Sequence, residues 1–310
     1  MISIIISKYH PFLIENLEEN IKYTIGVPFE IIVIENGKGE MGLCEVYNIG
    51  AQKARYEILC FSHEDVEIQT MNWGSVVIDL FSQHKKLGLL GVAGSAYKPL
   101  SPSGWWYENA KPNVFLTNYI QCNKTRSRTD LFLNNPFNEN LSAVACVDGF
   151  WFCTPKRIAL AIKFDDSVFK GFHCYDIDYS LSVSEQFSVG VCFDILIRHY
   201  SEGTLNREWV LDTLKLTNKW KKTLPLYSIH FNEMIKEEET AAFNYFLKQM
   251  LLLSFPLTKI FILPWSMKLI LLIGVKRFLK LMIKLVLDVY AKYKLSLLKK
   301  FGNMKKHFLL

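Results

Sequence analysis

Short apolar runs alternate with segments whose apolar positions recur at three and four, and this alternation sets out the fold of the first 220 residues. Ile2–Ser7 reads as a strand. Phe12–Ile25 places Leu13, Leu17, Ile21 and Ile25 four apart on one helical face. Phe29–Ile34 is a second strand, Leu43–Ala54 a helix, Glu57–Ser62 a third strand, Trp73–His84 a helix and Leu87–Ala93 a fourth strand. That rhythm predicts an α/β fold, with a mostly parallel central sheet and helices on both faces. From Ser95 to Asn140 the pattern dissolves into Gly, Pro, Asn, Ser and aromatics, the texture of a binding lid or insertion. Regularity returns in a strand at Ala143–Val147, a helix near Asp176–Gln186, a strand at Val189–Leu196 and a helix at Arg207–Lys222. The expected division is therefore an α/β domain over 1–223 and a helical tail over 224–310.

The tail differs in kind. It is rich in Leu, Ile, Phe and Lys and is broken at Pro256 and Pro264. Its charge-free windows are too short to span a bilayer as a simple helix. Lys276, Lys280, Lys284, Asp288 and Lys292 recur every four residues as a polar stripe on an otherwise apolar helix. That pattern predicts a helix lying in a membrane interface through residues 250–310. A helical subdomain packed on the body or on a second copy is the other reading of the same stripe, and a re-entrant hairpin hinged at the two prolines is a third.

Charge sharpens this contrast. The chain carries a formal net charge of +6, but residues 251–310 hold twelve Lys/Arg against the single acid Asp288, a net of +11. The first 250 residues are left with 24 basic and 29 acidic groups, a net of −5. An anionic membrane suits such a tail. Nucleic acid does not, because the lysines are embedded in aliphatic sequence. The seven cysteines include no C-x-x-C pair and sit mostly in apolar runs, as reduced core thiols of a cytoplasmic protein do. The opening Met1–Ile6 run lacks a basic lead and reads as a strand rather than a signal peptide.

Candidate chemistry gathers where apolar strands end. Cys60-Phe61-Ser62 runs into His63-Glu64-Asp65, and strand ends of open α/β sheets are where ligands bind. His63-x-Asp65 has the spacing of a clamp for a hard divalent ion, Mn²⁺ or Mg²⁺, that could bridge a diphosphate. His199 follows another apolar run and offers a further ligand. Asp176 and Asp178, near a helix start, are candidate general bases, with helix capping as the plainer role. Trp105 and Trp106 could stack on a sugar ring or pack beneath their loop. Gly37–Gly42 matches G-x-G-x-x-G, yet it follows the second strand and no acid ends the next strand at the right distance. An oxidoreductase built on that loop is accordingly the weaker alternative.

Taken in order, these residues resemble a family-2-like glycosyltransferase of the GT-A type, in the bacterial subgroup with a StrF-like domain. The resemblance covers Ile2 to Trp220. It rests on Glu30–Asn36, Tyr47–Ala51, the His63-Glu64-Asp65 strand end, Pro102–Trp106, Val147–Phe150, Gly171–Asp178 and Ile197–His199. It implies a GT-A fold with a basic helical tail, and transfer of a sugar, a hexose, from a nucleotide donor, UDP favoured, to a hydroxyl acceptor. By position it implies donor contacts at Ser7, Glu35, Asn48, Glu64 and Asp65. Asp65 with His199 and His63 would hold metal, and Asp176, with Asp178 beside it, would act as base in an inverting reaction. Trp105, Trp106, Asp148 and Tyr175 would line the acceptor side. Here His63 stands where a first metal-motif acid is usual, Tyr175 where a Glu is frequent, and Ser182 where an Arg is frequent. A transferase fold that has lost catalysis and only binds is the main alternative. With the tail, the resemblance implies a lipid-linked or surface-polysaccharide acceptor, with the protein held peripherally at the inner face of the cell membrane.

Overall fold

The computed structural model describes residues 1–10, 12–123, 128–200, 203, 205–229 and 235–307. Residues 308–310 of the basic tail lie outside these, and side chains are described only to residue 294 there. The central sheet has seven strands: β1 (Ile2–Lys8), β2 (Phe29–Glu35), β3 (Ile58–Ser62), β5 (Leu87–Gly91), β10 (Leu141–Val144), β12 (Trp151–Pro155) and β13 (Ser188–Cys192). They are ordered β10-β13-β5-β12-β3-β1-β2. β1, β2, β3, β5 and β13 run parallel, while β12 and β10 run against them. A second sheet, built from β4 (Val66–Ile68), β6 (Ala93–Ser95), β8 (Phe115–Asn123), β9 (Arg128–Asn134), β11 (Cys146–Val147) and β14 (Ile197–His199), extends from the carboxyl edge. β7 (Tyr97–Lys98) and β15 (Leu226–Tyr227) form a small third pair.

Helices α1 (Leu13–Thr24) and α3 (Trp73–Gln83) cover one face of the central sheet. The opposite face is covered by α2 (Leu43–Lys53), α4 (Lys156–Ala161), α5 (Tyr175–Ser184) and α6 (Arg207–Trp220). Strand periodicity decides which side chain goes where: Ile2, Ile4 and Ile6 join the first core and Ile5 the second. Leu59 and Phe61 of β3 likewise face away from Cys60. Under the site the second core is aromatic, with Tyr47 and Phe61 rings 4.8 Å apart and Phe164 stacked on Tyr179 at 4.1 Å. The α/β fold expected from the sequence, a mostly parallel sheet with helices on both faces, is thus present.

Three expectations change. The stretch from Ser95 to Asn140 is irregular only in part: residues 99–114 form turns and loops, whereas β8 and β9 form an antiparallel hairpin in the second sheet. Its alternation is disguised because the polar Thr117 and Asn118 are buried on opposite faces of β8, and the Asn118 amide donates to the Phe193 and Ile195 carbonyls at 2.8 and 2.9 Å. The runs expected as single strands at Leu87–Ala93 and Ala143–Val147 each divide, one part in each sheet. The polar-flanked run Trp151–Pro155, not read as a strand at all, sits at the middle of the central sheet.

The tail comprises α7 (Ile235–Leu252), α8 (Leu257–Ser266), α9 (Leu269–Ile273) and α10 (Val275–His307). Packing does not break after Thr223, where the domain division was expected. Phe243, Phe246 and Met250 of α7, and Phe278, Leu281 and Leu285 of α10, belong to the same core cluster as Trp209 and Leu216 of α6. No described helix is long and apolar enough to cross a membrane.

Helix α2 lies so close to β1 that a Cβ on Gly50 would stand 2.2 Å from Ile5 Cγ2. Replacing Gly by Ala inside a helix gains about 1 kcal/mol of propensity, whereas forcing atoms into a full core costs about 1–3 kcal/mol. Gly50→Ala should therefore destabilise the protein by about 1 kcal/mol in urea denaturation. A raised midpoint would show that α2 can lift away from β1 freely.

Candidate active site

Because β1, β2 and β3 are parallel, their carboxyl ends share one edge, and the loops leaving them meet there. Ser7 is half-buried near the end of β1, and Glu35 closes β2 in an exposed ion pair with Lys8 at 2.9 Å. Two of the expected donor contacts are engaged elsewhere. The Glu64 carboxylate accepts the backbone N–H groups of Tyr9 and His10 at 2.9 and 2.8 Å, pinning the loop after β1. The Asn48 amide donates to the Phe164 carbonyl at 2.9 Å and accepts from Phe164 N–H at 3.1 Å, which closes the 164–166 loop onto α2. Both side chains thus hold loops in place, and Asn48 also donates to Asp166 Oδ2 at 3.1 Å.

The loop matching G-x-G-x-x-G has a structural explanation. A Cβ on Gly42 would meet the Lys170 carbonyl oxygen at 2.4 Å, and the first amide of α2, Leu43 N–H, already donates to the Gly171 carbonyl at 3.1 Å. The 170–171 backbone therefore packs directly over the start of α2, where a dinucleotide would place its pyrophosphate.

His63, Asp65 and His199 do come together. Strand β14 pairs antiparallel with β4 so that His199 faces Val66, which brings its ring beside Asp65. His199 Nε2 lies 3.6 Å and His63 Nδ1 3.9 Å from Asp65 Oδ1, and one donor atom from each of the three residues lies within 4.8 Å of the others. The far nitrogens are held as well. His63 Nε2 is 2.7 Å from the Tyr175 hydroxyl, and His199 Nδ1 is 3.3 Å from Gln121 Oε1. Gln121 Nε2 donates to the His199 carbonyl at 3.3 Å, which turns its Oε1 toward the ring. That partner assigns the proton to Nδ1 and leaves the Nε2 lone pair aimed at the Asp65 carboxylate. Phe150 stacks on His199 with centroids 4.8 Å apart. Burial pushes both imidazoles down, His199 to about 4, so at neutral pH they are uncharged. Two neutral imidazoles and a carboxylate oxygen converging in this way fit a divalent cation, and outer partners of this kind orient metal ligands.

Beside this trio lie two half-buried acids. Strand β12 runs antiparallel to β3, so the Asp148-Gly149-Phe150 segment leading into it abuts the residues leaving β3, and His63 N–H donates to the Phe150 carbonyl at 2.9 Å. Helix α5 enters over this segment. A Cβ on Gly149 would stand 2.1 Å from the Tyr175 hydroxyl oxygen, so this position admits only glycine without a shift of Tyr175. Burial pushes the Asp176 carboxyl up to about 6, against the pull of the Ile177 and Gly149 N–H groups. Asp148 is pushed up to about 7, first by burial and then by the Asp176 charge. The Gly149 and Phe150 amides and the Trp105 indole N–H donate to Asp148 and oppose that rise.

Asp178 does not join them. Two residues along α5 is more than half a turn, and its side chain is 1% exposed, accepting from Trp220 Nε1 at 2.7 Å and Lys219 Nζ at 2.9 Å. It fastens α6 to α5. Trp105 reaches the site through Asp148, whereas Trp106 is 44% exposed and packs edge-on against Tyr245 of α7 at 5.6 Å. Gln121, Phe150 and Phe172, whose ring lies 5.5 Å from His63, went unread as site residues. Gln121 sat in the stretch expected to be irregular, and the other two were indistinguishable from core aromatics.

The model of the "Glycosyltransferase like family" matches residues 4–223. No curated protein sequence matches the chain. Among solved structures, S. aureus TarS 1–349 in complex with UDP is similar at 14% identity and a TM-score of 0.49, over 84% of this chain and 74% of that one. GalNAc-T7 with UDP, GalNAc and Mn²⁺ is similar at 12% identity and a TM-score of 0.47, over 81% of this chain. The match spans 56% of the GalNAc-T7 chain. The family model, which matches well over half of the residues, settles the affiliation: the chain belongs to the glycosyltransferase-like family.

Proposed function

We propose that this protein transfers a sugar from a nucleoside-diphosphate donor, UDP favoured, to a hydroxyl acceptor, assisted by a divalent cation. The observation that carries the reading is the junction between the two halves of the site. The Tyr175 hydroxyl bonds His63 of the ligand trio at 2.7 Å, and the next residue is the acid Asp176. His63, Asp65 and His199 would hold the cation, which when bound would supply Lewis-acid charge to the departing diphosphate. Two imidazoles among three ligands favour Mn²⁺ over Mg²⁺. Asp176, ionised at neutral pH, takes the proton from the acceptor hydroxyl and directs it to attack from the face opposite the diphosphate, with inversion. Asp148 carries the proton of the pair at neutral pH and donates a hydrogen bond to a sugar hydroxyl; two carboxyls with separated pKa values divide the acid and base roles in this way.

The tail supports a lipid-linked acceptor and a peripheral place at the inner face of the membrane. Outside its buried stripe, α10 exposes Val275, Leu279, Ile283, Val286, Tyr290 and Tyr293, bordered by Lys276, Lys280 and Lys284. Ile262 and Trp265 of α8 and Leu271 of α9 are exposed as well. Apolar side chains edged by lysines suit the headgroup boundary of an anionic bilayer.

Calorimetry should show UDP binding that strengthens with Mn²⁺ and vanishes in Asp65→Ala. Tyr175→Phe, which removes the hydroxyl that orients His63, should weaken Mn²⁺ binding about tenfold in an EPR titration of the free ion. Unchanged affinity would separate Tyr175 from the metal. Asp176→Asn should cost at least about a hundredfold in turnover while UDP affinity stays within about twofold. Because the base must be ionised, wild-type turnover should be full at higher pH and fall as pH drops through about 6. A flat profile from pH 5 to 8 would remove Asp176 from that role. Reversing Lys276, Lys280 and Lys284 to Glu should reduce co-sedimentation with phosphatidylserine vesicles by roughly a hundredfold, at about 1 kcal/mol per lysine. Equal sedimentation of the variant would place membrane contact elsewhere.

A further inference from the structure

Helix α7 buries two adjacent carboxylates, Glu238 at 1% and Glu239 at 0% exposure. Burying charge is costly unless hydrogen bonds saturate it, and here every partner comes from one segment. Glu239 accepts from the Tyr97 hydroxyl at 2.7 Å, Leu100 N–H at 2.9 Å and Ser101 N–H at 2.7 Å. Glu238 accepts from the Tyr107 hydroxyl at 2.9 Å and Lys111 N–H at 3.1 Å. From within the same turn the buried Lys98 amine donates to Ser103 Oγ at 2.9 Å and to the Pro99 carbonyl at 3.3 Å. Both flanks of the Tyr97–Lys111 segment are therefore tied to the tail, and between the ties stands Trp105, whose indole N–H is near enough to Asp148 to hold its carboxyl down.

We propose that Glu238 and Glu239 are positioning residues of the transfer site, through which the tail helix holds Trp105 against Asp148. The inference rests on the reading of Asp148 and Asp176 as the transfer site. It makes α7 a wall of that site rather than a separate anchor. A carboxylate suits this task because its oxygens accept from several donors at once and donate to none. Glutamine in its place turns an amide toward backbone N–H groups and leaves donors unpaired.

The test uses the full chain. In Glu239→Gln, hydrogen exchange at the Leu100 and Ser101 amides should quicken at least tenfold, and hydrolysis across a panel of UDP-sugars should fall at least tenfold. Calorimetric binding of UDP with Mn²⁺ should stay within twofold. Trp105→Phe should lose turnover by a similar factor, and the double variant should be no worse than the poorer single, because both changes break one contact. Multiplying losses, or full turnover despite a loosened segment, would reduce the glutamates to a folding role. If Glu239→Gln does not fold, Tyr97→Phe combined with Tyr107→Phe keeps every charge in place and decides the matter. It should lower turnover several-fold with UDP binding intact, and unchanged turnover overturns the proposal. A wild type that neither binds UDP nor hydrolyses any UDP-sugar would instead sink the transferase reading itself.

Discussion

The reversal of β12 between β3 and β5 is the constraint on which the site depends. In a wholly parallel sheet, the residue entering a strand and the residue leaving its neighbour lie at opposite edges. With β12 antiparallel, residues 148–150 enter the sheet where residues 63–65 leave it, and the register sets Trp151 opposite Ser62. His63 N–H then closes on the Phe150 carbonyl at 2.9 Å. From that one junction follow the stacking of Phe150 on His199, the meeting of Tyr175 with His63 over Gly149, and the approach of Asp148 to Asp176. The second sheet completes the arrangement, since the β4–β14 pairing delivers His199 from more than a hundred residues away.

Burial gives these groups their character. The same drying of the edge that keeps both histidines neutral raises both aspartates, because low dielectric penalises whichever form is charged. A neutral imidazole is what a cation needs, and a carboxylate near neutrality is what proton transfer needs. One physical cause serves both halves of the chemistry. Asp178 shows the contrast: the Lys219 ammonium and the Trp220 indole N–H satisfy it, and its role is to join two helices.

Elements whose apolar positions follow a clean period were legible in the sequence: β1, β2 and β3, and helices α1, α2, α3, α5 and α6 all lie where the pattern puts them, within a residue or two. His63, Asp65 and His199 were legible because ionisable residues abruptly end apolar runs. The β8–β9 hairpin was not, because Asn118 faces inward to satisfy carbonyls while Leu131 and Leu133 face solvent, inverting the expected alternation. Asp176 and Asp178 could not be told apart without knowing which side of α5 meets α6. Glu64 and Asn48 have the right chemistry for a ligand, but their partners are backbone groups that only the folded chain brings near.

The tail illustrates a further limit of periodicity. Helix α10 has apolar residues on most of its circumference, so one sequence satisfies both a packed helix and an interfacial one, and the structure uses part of that surface for packing through Phe278, Leu281 and Leu285. The stripe left outside is the one available to a bilayer. On the membrane reading, the charge split then orients the molecule. The body's net of −5 is spread over 250 residues, whereas the tail's +11 is compressed into 60. Screening confines both fields to about 8 Å at physiological salt. Only charges at the contact count, so attraction by the lysines of α10 outweighs repulsion of a body held a domain's width away. Helix α7 packs against α10 and bonds the Trp105 segment through Glu238 and Glu239, so on the membrane reading the helix at the bilayer and the segment beside the acids share one support.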